Sequence, residues 1–142
     1  MAAAMLLIVT TASAKKEVTP RMYMFGFAAS FNDTIVHFTD IQAVDSVWTD
    51  SKTNFLLGRE NYSYQLRDYL ANQQMPHRTC IVVFNKDRKK LEKKFLKLRR
   101  LYTQPKKGQR HFDIRYIEAK DMKFHAVDMS DPVVETKSEK KE

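Results

Sequence analysis

The sequence predicts a single α/β domain, with α+β as the alternative: one mixed β-sheet of four to five strands that opens on an N-terminal hairpin and carries two packed helices. Three observations predict it. Arg59 to Gln73 and Arg88 to Tyr102 repeat apolar residues at the helical period, His77 to Asn85 and His111 to Ile117 carry strand patterns, and 142 residues make one domain's length. With 43% hydrophobic and 11% aromatic residues the chain is too apolar for a disordered polymer, and its mean hydropathy of −0.53 is too low for a membrane bundle.

The elements follow in order. Residues 1 to 14, MAAAMLLIVTTASA, form an uncharged apolar run that ends in small residues and is followed by Lys15 and Lys16. That is the apolar region and cleavage site of a signal peptide, although no cation precedes the run. The expectation is a periplasmic or secreted protein. Residues 15 to 20 read as a short polar leader closed by Pro20, residues 21 to 129 as the domain, and residues 130 to 142 as a disordered charged tail.

RMYMFGFAASF from Arg21, the Asx turn Asn32-Asp33 and the alternation from Thr34 to Phe38 make an antiparallel hairpin. The second strand extends irregularly from Ile41 to Trp48. Tyr62, Leu66 and Tyr69 form the stripe of the first helix, which Phe55 extends if the helix starts early. His77 to Asn85 is apolar on successive residues, as in a strand covered on both faces or central in its sheet. Asn85 or Asp87 caps the second helix, where Leu91, Phe95, Leu98 and Tyr102 fall within about 60° of arc and Leu101 widens the face. Phe112, Ile114 and Tyr116 then alternate in a half-buried strand, and Met122 to Val127 is an optional last one. The expected order is ββαβαβ(β).

Gly26, Gly58 and Gly108 are the three glycines, and their wide separation excludes the Gly-rich phosphate loops and the nucleophile elbow. Cys80 is the single cysteine, set in an apolar strand as a small hydrophobe, so no intramolecular disulfide can form. His37, His77, His111 and His125 lack zinc-ligand spacing, and no metal or cofactor is expected.

Charge is the feature that stands out. Lys86 to Arg110 holds twelve basic and two acidic residues, a charge of +10, whereas the other thirteen basic and fifteen acidic residues sum to −2. Lys89, Lys93, Lys97 and Arg100 line the side of the second helix opposite its apolar stripe. Four like charges on one face repel by a few tenths of a kcal/mol per i,i+4 pair, roughly, so the face is a candidate site for an anionic partner. Acidic protein, polysaccharide and lipid head groups all fit, while the excess of lysine over arginine gives a point-charge surface that suits bidentate phosphate recognition less well. Leu96, beside this face, is a candidate partner anchor, and a solvated face is the plain alternative.

Two further readings compete with a non-enzymatic exported binding or accessory module. One is a cytoplasmic nucleic-acid-binding protein that keeps residues 1 to 14. The other is a small hydrolase or nuclease, which would have to gather Asp113, Glu118, Lys120 and a histidine. Tyr23, Tyr64 and Trp48 are the aromatic side chains left over to line a groove. The signal-like start, RMYMFGFAASFND and IVVFNKDRKKLEKKFLKLRRLY together resemble uncharacterised small exported proteins of bacteria over about residues 21 to 127. The resemblance implies no activity.

Overall fold

The run Met22–Ala29 contains no charged side chain, so a strand made from it needs cover on both faces. The computed structural model, which describes residues 15–130, supplies that cover with a five-stranded mixed sheet and two helices, an α+β fold. The elements are β1 (Lys16–Ala29), β2 (Ile35–Thr39), β3 (Gln42–Asp50), α1 (Arg59–Asn72), β4 (Thr79–Asn85), α2 (Arg88–Thr103) and β5 (Asp113–Ile117).

β1 is the centre. Tyr23 and Met24 pair with Ala43 and Gln42 of β3 and also with Asn85 and Phe84 of β4; Phe27 and Ala28 pair with Phe38 and His37 of β2 and also with Ile81 and Cys80 of β4. A strand has two edges, so β2 and β3 lie end to end along one and β4 takes the other. β5 joins β2 in parallel, from Ile35–Asp113 to Thr39–Ile117.

Where β2 meets β3 the ladder bulges. Between the pairs Met24–Gln42 and Phe27–Phe38, two residues of β1 face three, Thr39, Asp40 and Ile41. The Gly26 N–H donates to Thr39 Oγ1 at 2.7 Å. Asp40 ties the bulge to the end of β5, donating its N–H to the Ile117 carbonyl and accepting the Ala119 N–H on its carboxylate, both at 3.0 Å.

Alternation along β1 divides the core in two. Met22, Met24 and Ala28 pack with Val44, Val47 and Val82 against Tyr62, Leu66 and Leu70 of α1. Phe25 and Phe27 pack with Val36 and Phe38 against Leu91, Phe95, Leu98 and Tyr102 of α2. The helices therefore cover opposite faces. One crossover carries the chain from β3 across to β4 and the other brings it back to β5, and two crossovers in opposite directions share a hand only on opposite faces.

Several boundaries differ from the sequence expectation. Residues 15–20 are not a leader, because Lys16, Glu17, Val18 and Thr19 pair with Asp50, Thr49, Trp48 and Val47. The ladder skips Pro20, which has no N–H to give, opposite Ser46 in the left-handed region at φ 58°. The extra strand is thus β3, ahead of α1, and not a segment after β5. Met122 to Val127 is extended but unpaired by any strand: Gln42 donates to the Met122 carbonyl at 2.9 Å and accepts the Phe124 N–H at 2.8 Å, and Gln65 brackets His125 in the same way. β4 is an edge strand, so cover by two helices, not central position, explains its apolar run. The α1 stripe is Tyr62, Leu66 and Leu70 with Tyr69 half-buried beside it, while Phe55, Leu101 and Tyr116 are exposed. Residues 1–14 and 131–142, where the signal peptide and most of the charged tail are expected, lie outside the described residues.

At Gly26 the Leu66 side chain of α1 packs directly on the strand. A Cβ there would lie 2.7 Å from Leu66 Cδ2, 3.0 Å from Phe124 Cζ and 3.3 Å from Thr39 Cγ2. Gly26→Ala should therefore destabilise the fold by about 1–3 kcal/mol through overpacking. Urea unfolding reads this as a lower midpoint at unchanged slope.

Candidate functional site

Strand β4 ends at Asn85, whose side chain accepts the Asp87 N–H at 2.8 Å and turns the chain into α2. Asp87 is the N-cap. Its carboxylate accepts the N–H groups of Lys89 at 2.9 Å and Lys90 at 3.4 Å, satisfying two donors that the first turn leaves open. Leu91, fully buried, and the half-buried Phe95, Leu98 and Tyr102 fix which side faces the sheet. Phe25 and Phe38 meet the Phe95 ring edge-on at centroid distances of 5.0 and 5.5 Å.

That docking leaves Lys89, Lys93, Lys97 and Arg100 on the outward side, all exposed. None of the four has a carboxylate partner among the described residues; the one acidic side chain within the helix, Glu92, accepts from Arg88 at 3.1 Å. Leu96 lies beside them and is 43% exposed. Leu101, on the other border of the basic arc, is 65% exposed and does not widen the core face as its spacing suggests. The outward surface of α2 is thus a cationic strip between two exposed leucines.

A second cationic feature lies at the carboxyl end of β4. β4 stops at Asn85, opposite Tyr23, while β1 continues toward its own start, and a cleft of about 430 Å³ opens over Met22. Arg59, Lys86 and Lys94 line it together with Asn54, Phe55, Phe84 and Asn85. No sequence pattern marks this cleft, since its residues come from four separate stretches of chain. Phe55, expected from its spacing to extend the α1 stripe, lines the cleft instead.

The residues that a hydrolase would need do not converge. Asp113 opens β5 and pairs with Arg115 at 3.0 Å, while Glu118 lies past the other end of the strand and pairs with Lys120 at 3.1 Å. Among the described residues no three His, Cys, Asp or Glu side chains are grouped to hold a metal ion. Tyr23, Tyr64 and Trp48 form no common groove: Tyr23 belongs to the α2 side of the sheet, and Tyr64 lies under the Arg67 guanidinium at 4.2 Å. Burial raises the Cys80 thiol to about 11, so it is a neutral hydrophobe and not a nucleophile at neutral pH.

One charged cluster is structural. Asp33 caps the hairpin turn by accepting the Ile35 N–H at 3.0 Å and grips the buried Arg78 guanidinium with both carboxylate oxygens, while Arg78 also donates to the Ile35 carbonyl at 2.9 Å. The ion pair holds the Asp33 carboxyl below the usual carboxylate range. His37, next to it, has a buried Nδ1 without a partner. Burial first, then the cations Arg78 and Arg115, depress its pKa against the weaker pull of Asp33 and Asp113.

No protein-family model, no curated protein and no solved structure matches the chain.

Two outcomes follow from these contacts. Asp87→Ala should remove the cap of α2 and cost about 1 kcal/mol in urea unfolding, with lower helical ellipticity near the midpoint. Because folding depresses the His37 pKa, the unfolded chain binds the proton more readily, and stability should fall as pH drops below about 6.5. His37→Gln should flatten that part of the curve. It should leave the separate loss below about pH 4, where acid titrates the Asp33 carboxylate and loosens its pair with Arg78.

Proposed function

We propose that the protein is an exported, non-enzymatic binding module that presents the outer face of α2 to an anionic partner. The observation that carries this reading is the unpaired cationic strip Lys89, Lys93, Lys97 and Arg100, held outward by a helix whose opposite side is fixed in the core. Mutual repulsion along about three turns of α2 is tolerated there with no carboxylate partner among the described residues, and an acidic protein, an acidic polysaccharide or a layer of anionic head groups would relieve it. Leu96 and Leu101 add apolar contact at the two borders of the strip. Among the described residues no helix is long and apolar enough to cross a membrane.

Export rests on the sequence: the uncharged apolar run of residues 1 to 14 ends in Ala12-Ser13-Ala14 and is followed by Lys15 and Lys16. A nucleic-acid-binding role in the cytoplasm would require the uncleaved chain. The mature protein recovered from cells should begin at Lys15 and fractionate with the envelope or the medium. A chain still carrying Met1 in the cytoplasm would overturn the export reading.

The partner reading is tested with heparin and with vesicles containing about one-third phosphatidylglycerol. The unaltered protein should bind at low salt and be released as the Debye length shrinks to about 8 Å near physiological ionic strength. Replacing Lys89, Lys93, Lys97 and Arg100 together by glutamine should weaken binding at least tenfold without changing the unfolding midpoint by more than the few tenths of a kcal/mol, roughly, that relieved repulsion supplies. Equal binding by the two proteins would show the strip to be solvated surface.

A further inference from the structure

We infer that the cleft at the carboxyl end of β4 is a separate binding site for a small aromatic acid, a flat ring carrying one carboxylate. The inference does not rest on the helix face, because none of Lys89, Lys93, Lys97 and Arg100 lines the cleft.

The first argument is charge. Arg59, Lys86 and Lys94 converge on a space of about 430 Å³ whose lining contains no acidic residue. Lys86 Nζ donates to Asn54 Oδ1 at 3.0 Å, a neutral amide that orients the ammonium and leaves its charge uncompensated. Arg59 and Lys94 have no carboxylate partner among the described residues. Three cations around one concavity raise the local concentration of a small anion and repel one another until it arrives.

The second argument is shape. Phe55 is 59% exposed, an unfavourable setting for a ring of that size unless something covers it. Its position is nevertheless fixed by a built loop. Asp50 accepts the Lys52 and Thr53 N–H groups at 2.8 and 3.3 Å, the Asp50 N–H donates to the Phe55 carbonyl at 2.9 Å, and Thr49 bridges Leu56. Asn54 takes the left-handed conformation at φ 59° that turns Phe55 toward β4. Phe55 then meets Phe84 edge-on at 6.4 Å and 69°, and the Arg59 guanidinium stands over the Phe84 ring at 5.6 Å. The cleft therefore offers two fixed aromatic rings, an apolar floor at Met22 and Val83, and cations on its rim. A ligand with a flat apolar body and a single negative group matches all of these; inorganic phosphate would leave the rings bare, and a neutral ring would leave the cations unpaired.

The probe is 2-naphthoate, titrated into the 15N-labelled protein, with 2-naphthol and inorganic phosphate as comparisons. Binding should be saturable below about 1 mM. The amides of Asn54, Phe55, Arg59, Asn85 and Lys86 should shift most, and 2-naphthol and phosphate should each bind at least tenfold more weakly. Phe55→Ala and Arg59→Gln, both at exposed side chains, should each weaken 2-naphthoate about tenfold at an unchanged unfolding midpoint. The four-glutamine α2 variant should bind it within about threefold of the unaltered protein, which separates failure of this site from failure of the helix face. Three results would overturn the inference: equal binding of 2-naphthol, equal binding of phosphate, or shifts centred on a different cleft, the one lined by Phe31, Tyr102 and Arg110 at the far end of β4 near Thr79.

Discussion

The structure depends on one strand being enclosed on four sides. β1 is paired along both edges at Tyr23, Met24, Phe27 and Ala28, and covered on both faces by α1 and α2. Enclosure explains why Met22–Ala29 carries no charge on successive positions and why a glycine stands at 26, where a Cβ would meet Leu66 Cδ2 at 2.7 Å. It also explains the bulge at Thr39–Ile41: one strand cannot stay regular against two partners laid end to end, and the extra residue absorbs the change of register. Burying Met22, Met24, Phe25 and Phe27, each worth about 1.5–3 kcal/mol, lets this one strand stabilise both halves of the core in a chain whose single cysteine allows no intramolecular disulfide.

The cationic surface is a consequence of that enclosure. The stripe Leu91, Phe95, Leu98 and Tyr102 must meet Phe25, Phe27 and Phe38, so the rotation of α2 about its axis is set by the core. Everything on its far side is then free to serve another purpose. The chain places cations there although a helix with mixed charges would be more stable by itself. Asp87 at the N-cap offsets part of the cost, since its carboxylate sits at the positive end of the helix dipole.

The elements most legible in the sequence were those with a single period. Tyr62 and Leu66 marked α1, Leu91 through Tyr102 marked α2 and the side opposite its core stripe, and the unbroken apolar run marked β4 as either covered on both faces or central, of which the first holds. The start of β1 was illegible because its signal is carried by the partner strand: residues 15 to 20 look like a leader until Asp50, Thr49 and Val47 pair with Lys16, Glu17 and Thr19 and Thr19 Oγ1 bonds Thr49 Oγ1 at 2.7 Å. The Met122–Val127 segment misled in the opposite way. Its Met122 and Phe124 alternate like a strand, yet the backbone partners are the side-chain amides of Gln42 and Gln65, which no periodicity reveals. The cleft was hidden for a third reason: Asn54, Arg59, Lys86 and Lys94 meet only after both crossovers have formed.

The two cationic features differ in what they can discriminate. A strip of lysines on a helix exterior is open to solvent, where a unit charge pair at 4 Å is worth about 1 kcal/mol at the dielectric of water. Such a surface gains strength by repetition and selects for the charge density of a partner more than for its shape. The cleft has fewer cations but fixed rings, and Phe55 is ordered before any ligand arrives, so little conformational entropy remains to be lost on binding. Lys94 lines the cleft from the same helix that carries the strip, next in sequence to Lys93. A partner on the strip and an anion in the cleft would therefore lie close together, and each would lower the positive potential felt by the other. Coupling of that kind is reciprocal in binding free energy, so occupation of either feature by an anion weakens the other rather than reinforcing it.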